Sequence, residues 1–310
     1  MSRLLSILAG ICIILGAAAP VYAAEEAAGE ATGAKEKIVN PCADENRFPD
    51  AVGLYLDNYF LLGSVGERAL KGADINTQYS KFQISIAYRM FLWTGRKDDT
   101  GLYFAYTQKS LWDLLNGKKS SPFVESNYSP EGFYRVALAG KTILGIHFTG
   151  LQYIQLGLWQ HESNGLGDGN GDNSRGWDRG YFEFEYAIVN DHLFLIPRVW
   201  ATYHVANENS DITGYLGYGQ LTLKTESNVA FLGDMYVGLA ATGRKGEYKD
   251  INKGSIELTF VLSRIKYRYL DHTTKSPLGL FVQFFTGYGE TLLQYNRFNR
   301  VVRAGAGFPI

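Results

Sequence analysis

The sequence predicts an all-β fold, a transmembrane antiparallel β-barrel of about twelve strands, from three observations. Segments of about ten residues alternate between apolar and polar side chains with period two, the pattern of a strand with two unlike faces. Aromatic residues are abundant, with 21 Tyr, 18 Phe and 5 Trp. Many of them, including Trp93, Trp112, Trp159, Trp177 and Trp200, fall near the expected strand ends, where a membrane interface favours amphipathic rings. Finally, the chain opens like a secreted protein, and beyond that opening it lacks the run of about 18 apolar residues that a membrane-spanning helix needs.

The opening reads Met1-Ser2-Arg3, an apolar run from Leu4 to Ala19, then Val21-Tyr22-Ala23. One positive charge, a short apolar stretch and small residues at the cut define a signal peptide over 1–23, cleaved after Ala23. The bulky Ile11 before Cys12 argues against lipoprotein processing. Residues 24–47, rich in Ala, Glu and Gly, have no apolar face and are expected to form a flexible N-terminal segment. The barrel is expected over 48–310, with regular structure starting near Val52. Loss of Cys12 leaves Cys42 as the only thiol, so no intramolecular disulfide can form in the oxidising compartment. A net charge of −1 gives no basic excess to hold nucleic acid.

Alternation is clearest in 80–92, where Phe82, Ile84, Ile86, Tyr88 and Met90 share one face and Lys81, Gln83, Ser85 and Arg89 the other. Within 177–186, Phe182, Phe184 and Tyr186 oppose Arg179, Glu183 and Glu185. Further segments are expected near 53–64, 102–112, 132–141, 143–163, 192–204, 212–224, 228–241, 253–264, 277–288 and 297–308, separated by Gly, Asn and Asp clusters. A soluble sandwich also alternates, but an aromatic and aliphatic face opposite charged residues, behind a signal peptide, favours a barrel facing lipid. The chain ends Phe308-Pro309-Ile310 rather than on an aromatic residue, a departure from many such barrels.

Chemistry concentrates in Gly157–Asn170, GLWQHESNGLGDGN. His161 and Ser163 share a strand face, at a spacing that lets an imidazole take a hydroxyl proton. Asp178 begins the next strand with the parity of Phe182, Phe184 and Tyr186, and an antiparallel turn over 164–176 would bring it to His161. A Ser-His-Asp triad on the barrel exterior is then geometrically reasonable. The alternative is that these are polar residues where a strand meets water, and no G-x-S-x-G elbow accompanies them. Parity is also in conflict: His161 and Ser163 go with Gln155 and Gly157, while Ile154, Leu156 and Leu158 take the other face. Either a β-bulge intervenes or the interior is tightly packed with aliphatic residues. The loop Gly165–Ser174 is rich in oxygen ligands suited to Ca²⁺, although Arg179 at the twelfth position from Asp168 rules out an EF-hand. His147, His192, His204 and His272 receive no role.

Six motifs in order, Tyr106–Ser110, Ser120–Phe123 with Asn127-Tyr128, His161–Gly165, Ser174–Arg179, Asp211–Thr213 with Tyr215 and Tyr218–Leu221, and Gly287–Glu290, resemble the outer-membrane phospholipase A family of Gram-negative bacteria. The resemblance implies a twelve-stranded barrel with its site on the exterior, level with the outer leaflet. It implies Ser163 as nucleophile, His161 as general base and the Gly165 N–H as oxyanion donor, with Asp178 where the family usually has Asn. Calcium is implied, held by the Ser174 hydroxyl, the Leu166 carbonyl and a carbonyl from Ser120 of the partner subunit, with a second position at Asp168 and Glu208. Leu166 stands where Arg is typical, and the loop is longer than the family form. The resemblance also implies an active homodimer with Gln108, which shares the parity of Leu102, Phe104 and Tyr106, at its interface. The activity implied is hydrolysis of both acyl esters of glycerophospholipids and of lysophospholipids. A lipid A deacylase has a similar H-x-S-N run but a shorter barrel, and a porin-like channel without catalysis is the rival from another class.

Overall fold

The computed structural model describes residues 52–63, 79–90, 99–114, 117–118, 122–167, 173–189, 192–229, 235–263 and 278–310. The expected signal peptide, the 24–47 segment, Cys42, Trp93 and His272 lie outside them. The strands are Val52–Leu54 (β1), Asn58–Leu62 (β2), Ser80–Arg89 (β3), Gly101–Trp112 (β4), Phe123–Ala137 (β5), Thr142–Ile143 (β6), Ile146–His147 (β7) and Leu151–Ser163 (β8). They continue with Gly176–Val189 (β9), Leu193–Val205 (β10), Gly219–Val229 (β11), Met235–Lys245 (β12), Gly254–Ser263 (β13), Gly279–Gly287 (β14) and Asn299–Phe308 (β15). Sheet neighbours run β2, β15, β14 and so on down to β8, then β5 and β4, and β4 returns to β3 beside β2. Twelve strands thus close into an antiparallel barrel, and closure removes the unpaired edges that lipid could not satisfy. β1 pairs with the far part of β3, so β1 and β2 act as one strand interrupted at 55–57. Asn58 bridges that interruption by bonding the backbone N–H and C=O of Ser85. No helix among the described residues is long and apolar enough to cross a membrane.

The two faces separate as the alternation requires. On β3, Ile84, Ile86 and Tyr88 are exposed on the outer surface, while Lys81, Gln83, Ser85 and Arg89 are buried inside. The lumen is polar and ion-paired, which overturns the alternative of an aliphatic interior. Arg198 Nε lies 2.6 Å from Glu183 Oε2, Arg303 Nη1 2.6 Å from Glu290, and Arg179 Nη2 2.8 Å from Glu162. Glu162, Arg179, Glu183, Arg198 and Glu290 line an internal cavity of about 390 Å³. Phe133 is stacked between Tyr55 and Tyr103, with centroids 5.1 Å away on each side, and plugs part of the interior.

Three sequence expectations change. The single strand over 143–163 is instead the β6–β7 hairpin followed by β8, because Leu144 (φ 49°) and Gly145 (φ 80°) turn the chain back with both residues left-handed. The start of the 212–224 segment is a short helix, Ile212–Leu216, ended by Gly217 at φ 69°. β5 begins well before 132 and carries Pro130 inside a strand, where a proline ordinarily signals an interruption. Not every tryptophan joins an interfacial girdle, either. Trp177 and Trp200 point inward and pack edge to face at 6.3 Å, each with its indole N–H satisfied, by Glu162 and by the Gly217 carbonyl.

Gly157 shows how tightly the wall is built. A Cβ there would fall 2.1 Å from the Tyr181 ring, whose hydroxyl donates to Glu131 and accepts from Gln155. Gly157→Ala should therefore lower stability by about 1–3 kcal/mol, read as a shift of the denaturant midpoint of the folded barrel in micelles.

Candidate active site

The site begins with a break in strand parity. Gly157 and Trp159 of β8 pair with the consecutive residues Phe133 and Gly132 of β5, so Leu158 is extra. On the other side, Gly157 pairs with Tyr181 and Gln160 with Arg179, leaving two residues opposite Gly180 alone. This is a β-bulge. Its effect is to place both Leu158 and Trp159 on the exterior, 50% and 42% exposed, and to turn Gln160 inward and His161 outward. The parity conflict in the sequence is thereby settled in favour of the bulge. Tyr203 of β10 crosses over Gly180 and donates to the Leu158 carbonyl at 3.2 Å, supplying a partner for a carbonyl in the disrupted ladder.

With the phase reset, His161 and Asp178 are direct cross-strand partners, and Ser163 pairs with Gly176 on the same outer face. His161 Nδ1 lies 2.9 Å from Asp178 Oδ1. That contact leaves Nε2 free to serve a second group. Trp159 Nε1 donates to the same carboxylate oxygen at 3.1 Å, and its ring stacks on the imidazole at 6.2 Å. The side chains of His161 and Asp178 are 36% and 22% exposed, open to the surroundings of the barrel rather than to its cavity. Gln160, Glu162 and Arg179, their neighbours in sequence, line that cavity instead.

Asn164, buried directly after Ser163, ties the loop base. It donates to the Asn173 carbonyl at 2.7 Å and accepts from the Arg175 N–H at 3.0 Å, while its own N–H donates to the Arg175 carbonyl. Gly165 follows at φ 66°, and a Cβ there would meet the Tyr128 ring at 2.6 Å. Beyond it, Ser174 Oγ donates to the Leu166 carbonyl at 2.6 Å, bringing two of the expected cation ligands together. Gly176 is clamped by Asn209, which accepts from its N–H and donates to its carbonyl, both at 3.1 Å. This docks the 207–209 turn, with exposed Glu208, against the loop base. Tyr295 donates to Asp211 at the start of the short helix, and burial followed by that carboxylate pushes the Tyr295 hydroxyl well above its ordinary range. The expected ligands Ser120 and Asp168 lie outside the described residues. Gln108 is on the outer face as expected, but its amide already bonds within its own strand, accepting from Tyr106 at 3.2 Å and donating to Ser110 at 3.1 Å.

Trp159, Asn164 and Asn209 touch the candidate site and carry no role in the sequence reading. The Trp159 contact depends on the bulge, and Asn209 reaches Gly176 from a turn 33 residues further along the chain. Only Asn164, adjacent to the H-x-S pair and opening a Gly-rich loop, carried a local signal. Asn164→Ala removes the side-chain acceptor of the part-buried Arg175 N–H. We expect it to loosen the loop and lower stability by about 1–2 kcal/mol, measured as a shift of the denaturant midpoint.

Comparison with known proteins bears on the family of this barrel. The phospholipase A1 family model matches residues 55–309. Phospholipase A1 of Salmonella typhimurium is 33% identical over 233 residues, covering 73% of this chain and 68% of that protein. The structure of the Salmonella typhi outer membrane phospholipase, a dimer with bound calcium, superposes with a TM-score of 0.64 at 29% identity, covering 89% of this chain and 98% of that one. An active-site mutant of Escherichia coli outer membrane phospholipase A, with an asparagine replaced by alanine, gives 0.64 at 28% identity, over 86% and 95% of the two chains. From its closed twelve-stranded barrel and from these matches, this chain belongs to the phospholipase A1 family, the outer membrane phospholipases A.

Proposed function

We propose that this protein is a calcium-dependent serine phospholipase A of the bacterial outer membrane, active as a homodimer and cleaving both acyl esters of glycerophospholipids, lysophospholipids included. The observation that carries the reading is the His161–Asp178 pair at 2.9 Å, on the same outer face as Ser163. Substrate then arrives laterally from the outer leaflet, and no deep pocket is required.

Ser163 Oγ attacks the ester carbonyl as His161 Nε2 removes its proton. Asp178 holds the ring through Nδ1 and opposes the positive charge that develops on it. The Gly165 N–H is the oxyanion donor. His161 next protonates the departing lysophospholipid oxygen, leaving an acyl ester on Ser163. A water, deprotonated by His161, attacks that ester and frees the fatty acid and the serine hydroxyl.

Calcium fits the donors present. The Leu166 carbonyl and Ser174 hydroxyl converge to 2.6 Å, and both are oxygens of the kind this hard cation accepts. By family likeness, Ser120 of the partner subunit would complete the set, and Asp168 with Glu208 would offer a second position. Bound there, the ion would supply positive potential that favours a developing oxyanion. No cluster of three or more His, Cys, Asp or Glu side chains stands ready for a metal among the described residues. Fatty-acid release measured against calcium and protein concentration tests this reading. Activity should disappear with chelator, return with Ca²⁺, and fall more steeply than enzyme concentration on dilution. Full activity in chelator, or strict proportionality to protein, would count against calcium or the dimer respectively.

A further inference from the structure

Asp178 has a third neighbour that the mechanism above leaves unused. Its Oδ1 receives His161 and Trp159, whereas its Oδ2 faces His204 of β10, whose Nδ1 is 3.6 Å away. His204 and Asp178 are direct cross-strand partners, so the proximity is fixed by the sheet register. That register shifts between Thr202 and His204, an irregularity that coincides with the pairing. At 71% exposure, the His204 side chain is not held there by burial.

The chemistry gives it a purpose. A carboxylate facing the membrane exterior is costly unless its charge is opposed, whereas an amide carries no such charge. The asparagine reported in the active site of the related Escherichia coli enzyme would need no counter-charge. We propose that His204 is a positioning residue for Asp178: by opposing the charge at Oδ2, it keeps Oδ1 directed at His161. This rests on the triad reading above. At 3.6 Å the contact is beyond a hydrogen bond but within ion-pair range, so the opposition is electrostatic.

The test is a double-mutant cycle on the full-length protein in mixed micelles with calcium, combining His204→Gln with Asp178→Asn, with His204→Arg added. Folding is checked by heat-modifiable electrophoretic mobility. With Asp178 present, His204→Gln should lower kcat about three- to tenfold at unchanged KM, and His204→Arg should restore it to within about twofold. In the Asp178→Asn background, the same His204→Gln change should cost less than about twofold. Equal losses in both backgrounds would identify a merely structural histidine, and no loss beside Asp178 would also overturn the proposal. Ser163→Ala, run in parallel, separates the two readings. If it stays active, the triad itself is wrong; if it is inactive while the His204 series is flat, only the role of His204 fails.

Discussion

Ser163→Ala should lose phospholipid hydrolysis by more than about 10³-fold and still fold into a barrel of normal stability. The size follows from the role: without Oγ there is no acyl-enzyme, and binding plus oxyanion stabilisation alone give only weak residual catalysis. The neutrality toward folding follows from location. Ser163 is near the end of β8 on the outer face, where its backbone pairs with Tyr128 and Gly176 whatever the side chain. Fatty-acid release and electrophoretic mobility on one preparation read both effects. Asp178 separates orientation from charge: Asp178→Asn should retain measurable turnover because an amide oxygen can still accept a hydrogen bond from Nδ1–H, while Asp178→Ala should lose clearly more.

The largest stability effect is expected in the lumen. Glu183 is buried between Arg198, at 2.6 Å on one carboxylate oxygen, and Tyr153, whose hydroxyl donates to the other at 2.9 Å. Arg198 is stacked on the Tyr181 ring, 4.1 Å from its centroid. Glu183→Ala strands that guanidinium and should cost about 3–5 kcal/mol, whereas the paired change Glu183→Leu with Arg198→Met should cost much less, since it removes both charges. Denaturant titration of refolded protein checks the two values. A loss from the single variant no larger than from the pair would show that charge compensation does not hold the lumen together.

The fold was legible because lipid outside and ion pairs inside impose opposite demands on alternate residues. Lys81, Gln83, Ser85 and Arg89 could be assigned to one face from sequence, and they are the ones buried inside. The site was legible in its residue types, since H-x-S and the parity of Asp178 are local features. Its facing was not, because one extra residue, Leu158, reverses the phase between Gly157 and His161, and alternation cannot locate a bulge inside an apolar run. Contacts between distant strands were equally hidden. Asn209 on Gly176 and His204 on Asp178 depend on register, which no short window of sequence reports. Trp177 and Trp200 misled for a related reason: an aromatic at a strand end looks alike whether it anchors at the interface or plugs the lumen.

The most direct test of the central claim, a working serine on the lipid-facing wall, is to react the protein with a fluorescent fluorophosphonate in bilayers, map the adduct, and quench it with brominated phospholipids. The label should be found on Ser163, depend on His161, and be quenched by the brominated lipids. A label on another residue, or one on Ser163 reached only by a water-soluble quencher, would contradict the account.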